Sequence, residues 1–413
     1  MKNFKINISN FFINCSFFII ASVILVRPYI EKIFNSSSII AVLIVVASII
    51  LIFNVFYSRK RIKNNRPFYI CCILCMMPFF VKNAYIEDGY YSNIIFYVGS
   101  ILFCICLSFN KLKEENVLFL FRLFFIFAIL TSIVTWISFY LPNVFDKVFL
   151  SMLPTSDQVI ARNDFFNQGM KMGLTNHYSR NAFYIILGIL SSIYLSNKGN
   201  NKKYMFFIIF FLATMFMIGK RAHFLFLILS FFIAYIIYNR ISFNKIIKLI
   251  FYIIVFIIGV ILLMRIIPSE YNIISRLFTN DGHDISTGRF EIYENIWTLY
   301  KLNNYNPIGW GGFTRSTNYF FAGAHNDYLQ LLCETGWSGL LIVLGSNLYL
   351  FIRSIKFGRK EKKYNIYFVI LLYNIFFLLY SFTGLPHYDL ETILIYFMLN
   401  CFLWNYKVGV KNE

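Results

Sequence analysis

The longest polar stretch of the chain runs from Arg265 to Gly336 and reads RIIPSEYNIISRLFTNDGHDISTGRFEIYENIWTLYKLNNYNPIGWGGFTRSTNYFFAGAHNDYLQLLCETG. On both sides of it the sequence consists of long apolar runs. A charged side chain at the centre of a bilayer costs about 2.5–3.5 kcal/mol on insertion scales, so this segment must lie in water or line a wet cavity. We therefore expect residues 265–336 to form a large extramembrane loop that carries any active site.

The composition is typical of a polytopic membrane protein. Of the 413 residues, 59% are hydrophobic and only 14% are charged, whereas soluble proteins carry roughly 25% charged residues. Residues 1–413 are thus predicted to form a single all-α integral membrane domain of about twelve transmembrane helices, with surface helices in the 265–336 loop. The twelve apolar spans are residues 10–26, 38–57, 67–82, 92–109, 117–141, 181–196, 204–219, 222–238, 246–264, 335–353, 366–383 and 390–406.

The distribution of charge predicts the orientation. With the N-terminus inside, the inner segments carry 23 Lys and Arg against 4 Asp and Glu, and the outer segments carry 14 against 15. The positive-inside rule then places both termini in the cytoplasm and the 265–336 loop on the outer face. The net charge of +19 is therefore a topology signal and does not indicate nucleic-acid binding.

The sequence predicts neither a cofactor nor a metal. Seven of the eight cysteines fall inside apolar runs and only Cys333 does not, so they indicate no disulfide framework and no zinc site. The glycines of residues 309–312 follow Pro307, which is typical of a turn and not of a phosphate-binding loop. The inner loops are too short for a nucleotide-binding domain.

Two predicted helix starts in the loop are candidate sites, and the first contains Arg289. The apolar spacing of residues 290–300 predicts an amphipathic helix on the membrane surface, with Ser286 or Thr287 as its N-cap. Arg289 lies in its first turn, where the helix dipole disfavours a cation. It either turns away to a lipid headgroup or Asp284, or forms a phosphate site with the first-turn N–H groups.

The second helix start contains His325. Asn326 or Asp327 is the expected N-cap, and Asp327 and Gln330 have the spacing of a capping box. A helix N-terminus favours the neutral imidazole, which is the form that accepts a proton near pH 7. His325 is therefore either a general base or a histidine that only packs beside the cap.

A third candidate is Lys220-Arg221, two cations on a short outer turn between predicted spans. The pair either snorkels to the interface or binds an anion. His223, two residues into the next span, is expected to pack. Weaker candidates on the outer face are His177, Arg180, His387 and Asp389.

These motifs together resemble the bacterial O-antigen ligase / O-antigen polymerase (Wzy) family. The resemblance covers about 120 residues and rests on Gly219 to Ala222, Gly288-Arg289 to Trp297, Asn306 to Gly311, Ala324 to Gln330, and Glu334-x-Gly336-x-x-Gly339. It implies a GT-C-like, metal-independent glycosyltransferase at the outer face of the bacterial inner (cytoplasmic) membrane. Such an enzyme moves a glycan from undecaprenyl pyrophosphate to an acceptor hydroxyl.

The resemblance also implies roles for individual residues. Arg221 and Arg289 would hold the donor pyrophosphate, and His325 would deprotonate or orient the acceptor hydroxyl. Lys220 stands where the family usually has serine. The side chains predicted to bind substrate are Lys220, Arg180, His177, Asn326, Tyr328 and Arg315.

The acceptor distinguishes two activities. A lipid-linked repeat unit defines a polymerase of surface polysaccharide, O-antigen or capsule, which is slightly favoured, and lipid A core defines a ligase. The expected partners are the bilayer, the lipid-linked glycan, the acceptor glycan, a chain-length regulator and a flippase. A lipid-linked-oligosaccharide flippase is the alternative from another class, but transporters place ionisable residues at mid-membrane, and here only Arg122 is a clear candidate. A third alternative is a binding protein without turnover.

Overall fold

The computed structural model describes residues 8–58, 66–81, 91–167, 169–199, 202–239, 288–317, 323–358 and 366–405, together with the isolated positions 247, 251 and 258. Its helices are α1 (Ile8–Phe34), α2 (Ser38–Ser58), α3 (Arg66–Val81), α4 (Tyr91–Ser108), α5 (Glu114–Tyr140), α6 (Pro142–Val144), α7 (Thr155–Phe166), α8 (Tyr178–Gly199), α9 (Lys203–Ile218), α10 (Arg221–Asn239), α11 (Arg289–Leu302), α12 (Gly312–Ser316), α13 (Asp327–Gly358), α14 (Ile366–Tyr380) and α15 (Leu390–Asn405). A π-helical turn (Phe145–Phe149) and a 3-10 turn (Leu150–Met152) connect α6 to α7.

The described residues are predominantly helical, which agrees with the prediction of an all-α integral membrane protein. Five of them, α1, α2, α5, α10 and α13, are long and apolar enough to cross a membrane. Shorter apolar helices occur in α3, α4, α9, α14 and α15. The number twelve stays a prediction, because the expected span at residues 246–264 and most of the loop before residue 288 lie outside the described residues.

Side-chain contacts sort the chain into two ends of the bundle. At one end, segments that the sequence places inside meet through the Lys198–Glu114 ion pair (2.6 Å) and the Asn10–Glu115 hydrogen bond (2.9 Å). At the other end, segments that the sequence places outside converge on one cavity, described below. This sorting agrees with the predicted alternation, while the side of the membrane on which each end lies stays a prediction.

Helix α1 is kinked next to Pro28. Pro28 has no N–H to donate to the carbonyl of Ile24, and the backbone at Val26 leaves the helical region (φ −125°, ψ 20°). The hydroxyl of Tyr184 in α8 donates to the Ile24 carbonyl instead. Arg27 lies in this kinked turn and reaches Glu391 of α15 at 3.3 Å.

Helix α13 is kinked at Gly336, whose φ of +72° lies in the region that favours glycine. The N–H groups of Ile308 and Gly309 donate to the carbonyls of Cys333 and Glu334 next to the kink, at 3.0 Å each. Buried carbonyls beside a kink need such partners. The predicted turn at residues 309–312 is confirmed, because Gly309 and Gly311 both have positive φ (95° and 77°).

Candidate active site

Helix α11 confirms the predicted amphipathic helix and presents Arg289 in its first turn. It buries Ile292, Ile296 and Tyr300 on one face. The N-cap position is occupied by Gly288 and not by the predicted Ser286 or Thr287, two residues that lie outside the described part of the chain. Gly288 has φ +81°, a left-handed conformation that glycine adopts without strain.

His325 occupies a constrained position directly before α13. Its φ is +49°, which is uncommon for a residue with a side chain and often found at functional sites. The hydroxyl of Tyr293 in α11 donates to the His325 carbonyl at 3.3 Å and to the Phe382 carbonyl at 3.4 Å. Tyr293 thus ties helix α11 both to the backbone of His325 and to the loop after α14.

Of the two features predicted for the start of α13, the N-cap is confirmed and the capping box is wrong. The side-chain oxygen of Asn326 accepts the N–H of Leu329 at 3.1 Å, so Asn326 is the N-cap. The capping box between Asp327 and Gln330 is wrong, because the Gln330 amide accepts the N–H of Ala324 (2.9 Å) and donates to Glu334 (3.3 Å). Gln330 therefore fixes the backbone of the segment that leads into His325.

Asp327 fastens the loop between α14 and α15. It is completely buried, and one carboxylate oxygen accepts the Ser381 hydroxyl (3.3 Å), the backbone N–H of His387 (3.1 Å) and the His387 ring nitrogen Nδ1. The other ring nitrogen of His387 contacts the amide of Asn347 in α13 at 2.7 Å. His387, a weak candidate from sequence, therefore lies in the support of the site and is itself fully buried.

Four of the predicted site residues line one cavity of about 380 Å³, which we call the polar cavity. They are His177, Arg180, Lys220 and His325. The weaker candidate Asp389 lines it as well, and so does His223, whose predicted packing is confirmed because the side chain is 1% exposed. Arg221, Arg289, Asn326 and Tyr328 are not among its lining residues, and the side chain of Arg315 lies outside the described residues.

Cations lie near both imidazoles of the cavity, which Asp157 and Asp389 also line. Desolvation and the charges of Arg289 and Lys220 lower the pKa of His325 to about 4. Desolvation and the charges of Lys220 and Arg180 lower the pKa of His177 to about 3. Both imidazoles are therefore neutral at pH 7, and the ring nitrogen Nδ1 of His177 accepts the N–H of Ser179 at 3.2 Å.

Arg221 and Arg289 lie close enough for their charges to repel each other. Arg221 opens α10 two residues after Gly219, whose left-handed conformation ends α9. In the part of the chain that the structure describes, neither guanidinium has a carboxylate within 4 Å. Two like charges held together in this way favour an anionic ligand between them.

The other predicted substrate-binding residues have partners within the protein. The Lys220 ammonium lies 4.5 Å from the centre of the Tyr178 ring. Arg180 donates to Asn176 at 2.8 Å and lies 3.7 Å from Glu391. The hydroxyl of Tyr328 donates to the backbone carbonyl of Leu378 at 2.8 Å, which fixes α13 against the end of α14.

A partly buried ion cluster beside the cavity was not predicted from the sequence. Arg27 and Arg180 share the carboxylate of Glu391, at 3.3 and 3.7 Å, and Arg27 also binds Glu31 at 2.8 Å. Arg122, the only cation assigned to a span, is exposed. The sequence feature that could have indicated this cluster is Arg27-Pro28, because a proline at the end of an apolar span predicts a helix kink with the cation beside it.

Grouped metal ligands are not found in the described part of the chain, where no three His, Cys, Asp or Glu side chains come together. That finding leaves the predicted metal independence untested. The cysteines of the described helices are all free.

Comparison with known proteins identifies a domain. Residues 204–344 match the family model described as O-antigen ligase, which confirms the family resemblance over a region that contains Lys220, Arg221, Arg289 and His325. His177 and Arg180 lie outside the matched region. No curated protein matches the chain.

Proposed function

From the O-antigen ligase domain at residues 204–344, which indicates a membrane enzyme of the ligase or polymerase type, we propose that the chain is a glycosyltransferase that uses a polyprenyl-pyrophosphate-linked glycan as donor. The observation that carries this proposal is the meeting of His325 and Lys220 in one polar cavity, with Arg289 close enough to affect His325 electrostatically. The reaction needs a base to accept the proton of the acceptor hydroxyl and cations to stabilise the pyrophosphate leaving group.

The donor arrives already activated by its pyrophosphate. The acceptor hydroxyl attacks the anomeric carbon, a new C–O bond forms, and the bond from that carbon to the pyrophosphate oxygen breaks with both electrons on the leaving group. His325 takes the hydroxyl proton, because its lowered pKa keeps the imidazole free to accept it. Arg221 and Arg289 bind the pyrophosphate and stabilise the charge that develops on it.

The remaining candidates support this arrangement to different degrees. Lys220 adds a positive charge in the cavity itself, where the family usually has serine. Arg180 already has Glu391 as a partner, so its guanidinium serves more to shape the wall of the cavity than to bind phosphate. His177 caps α8 and presents its ring to the same space.

We favour polymerisation of undecaprenyl-pyrophosphate-linked repeat units into surface polysaccharide over transfer to lipid A core. Both reactions use the same donor chemistry, and they differ in the acceptor alone. The predicted topology places the site on the outer face of the inner membrane, where lipid-linked glycans and an external acceptor would meet.

A gene deletion followed by gel display of the surface glycan tests the proposal. Accumulation of a single repeat unit on the lipid anchor supports the polymerase. Accumulation of lipid-linked polymer that is not transferred supports the ligase. An unchanged glycan pattern refutes both, and the absence of any glycan outside the cell indicates a flippase.

A further inference from the structure

A second cavity adjoins the polar cavity. It measures about 270 Å³, and Arg180, Leu385 and Asp389 line both cavities. Its other walls include four aromatic side chains, Phe96, Tyr97, Trp310 and Tyr388, and we call it the aromatic cavity. None of these four side chains was predicted from the sequence to bind substrate.

Hydrogen bonds hold two of the aromatic walls, Tyr388 and the turn that carries Trp310, in place. The hydroxyl of Tyr388 donates to Glu334 at 2.9 Å, and Glu334 also accepts the backbone N–H of Phe313 at 3.4 Å. The turn that carries Trp310 is fixed to the kink of α13. The rings of Tyr97 and Trp310 lie 5.6 Å apart at 64° to each other. A site built in this way loses little side-chain entropy when a ligand binds.

The charges around the aromatic cavity balance one another. Arg27 and Arg180 are matched by Glu31 and Glu391, with distances of 2.8 to 3.7 Å. Burial and the neighbouring Glu391 raise the pKa of Asp389, which favours the neutral carboxyl, a form that can both donate and accept hydrogen bonds. The aromatic cavity is therefore suited to a neutral, hydroxylated ligand.

The size of the cavity sets the size of that ligand. A volume of 270 Å³ equals that of about nine water molecules at ~30 Å³ each, which accommodates one sugar ring but not a whole repeat unit. The C–H groups on the face of a sugar ring pack favourably against the electron-rich face of an aromatic ring. The lining also includes polar side chains that can bind hydroxyls, among them Thr314 and Asp389.

We propose that the aromatic cavity binds one sugar ring of the glycan that reacts in the neighbouring polar cavity. This rests on the proposed function for the identity of the glycan, while the sugar site itself rests on the aromatic lining, the balanced charge and the shared wall. Trp310 is the residue on which we expect binding to depend most, because it combines the largest ring with partial exposure to the cavity.

A binding measurement that needs no turnover tests this site. The probe is the oligosaccharide repeat unit, released by mild acid from the lipid carrier of cells that lack this protein, and it is titrated into the full-length protein in detergent. We expect at least a tenfold weaker affinity for Trp310→Leu and a smaller loss for Trp310→Phe, which keeps an aromatic face. Trp297→Leu is the matched control, since Trp297 lies on the exposed side of α11.

Intrinsic fluorescence covers the case in which Trp310→Leu does not fold. Saturating oligosaccharide should change the tryptophan emission of the wild-type protein, and Trp310→Phe should lose that change. Equal affinity of the wild type and a folded Trp310→Leu, or no binding of the oligosaccharide to the wild type at millimolar concentration, overturns the sugar site.

Kinetics then identify the source of the sugar. With lipid-linked donor and lipid-free oligosaccharide acceptor, a raised KM for the acceptor in Trp310→Leu assigns the ring to the acceptor, and a raised KM for the donor assigns it to the donor glycan. Either result supports the site. The two proposals can also fail separately. If binding depends on Trp310 but deletion of the gene leaves the surface glycan unchanged, the proposed function is refuted and the sugar site is retained.

Discussion

Lowering the pH from about 7.5 to about 5.5 should leave the turnover of the wild-type protein nearly unchanged, because the pKa of His325 is lowered to about 4. At the lower pH about 97% of an imidazole with this pKa is neutral, whereas an imidazole with the ordinary value of about 6.5 would be about 9% neutral. The two cases therefore differ by about tenfold in the amount of active base. The protonated form has no lone pair to accept the hydroxyl proton, so activity falls only as the pH approaches 4.

The fall in activity at acidic pH is the acid limb of the pH profile. Lys220→Met should shift this limb towards neutral pH. The ammonium of Lys220 is one of the two positive charges that oppose protonation of His325, and its removal raises the pKa of the imidazole. Desolvation and Arg289 remain, so the limb should stop short of about 6.5. Lys301→Met is the matched control, because Lys301 lies on the exposed face of α11 beside Trp297.

The assay is single turnover with saturating lipid-linked donor across this pH range, with donor binding measured separately to account for protonation of the pyrophosphate. His325→Ala should bind donor normally and turn over ~10²–10⁴-fold more slowly, without an acid limb. A wild-type limb near pH 6.5, a limb that Lys220→Met does not move, or normal turnover of folded His325→Ala would refute the reasoning.

Three further predictions concern the arginines, the support of the site and the topology. Arg289→Lys should lose activity severely, because an ammonium cannot reproduce bidentate contacts to phosphate, and Arg221→Ala should do at least as much damage at normal protein levels, both measured as surface polymer. Asp327→Ala should lower the thermal unfolding midpoint, since each buried donor that it leaves without an acceptor costs about 1–3 kcal/mol. A cysteine at Ser316, with accessible native thiols removed, should react with an impermeant reagent from outside, and one at Asn64 should not.

Controls and contrary outcomes are available for each. Arg162→Lys and Asp146→Ala alter an exposed ion pair of 2.7 Å and should change activity and stability little. Normal polymer from Arg289→Lys or Arg221→Ala would remove that arginine from the site. An unchanged unfolding midpoint for Asp327→Ala would contradict its role in fastening the loop after α14. Labelling of Asn64 from outside would overturn the predicted orientation.

Local features of the chain were predictable from the sequence because they depend on neighbouring residues. Apolar length gave the helices of the bundle, and apolar spacing gave α11 with its buried Ile292 and Ile296. The turn at residues 309–312 and the Asn326 cap follow from residue types with strong local preferences. The cap at Gly288 was missed because glycine at this position acts through its backbone conformation and leaves no side-chain signature.

Contacts between distant segments were decided by the tertiary structure alone. Periodicity and charge counts do not reveal that Arg27 reaches Glu391, 364 residues away, or that Trp310 and Tyr97 share a wall of one cavity. The sequence predicted a neutral His325 from the helix dipole, whereas in the folded chain desolvation, Arg289 and Lys220 lower its pKa. The reason is physical: a pKa depends on every charge and every solvent-excluding atom near the group, and only packing brings those from separate helices to one place.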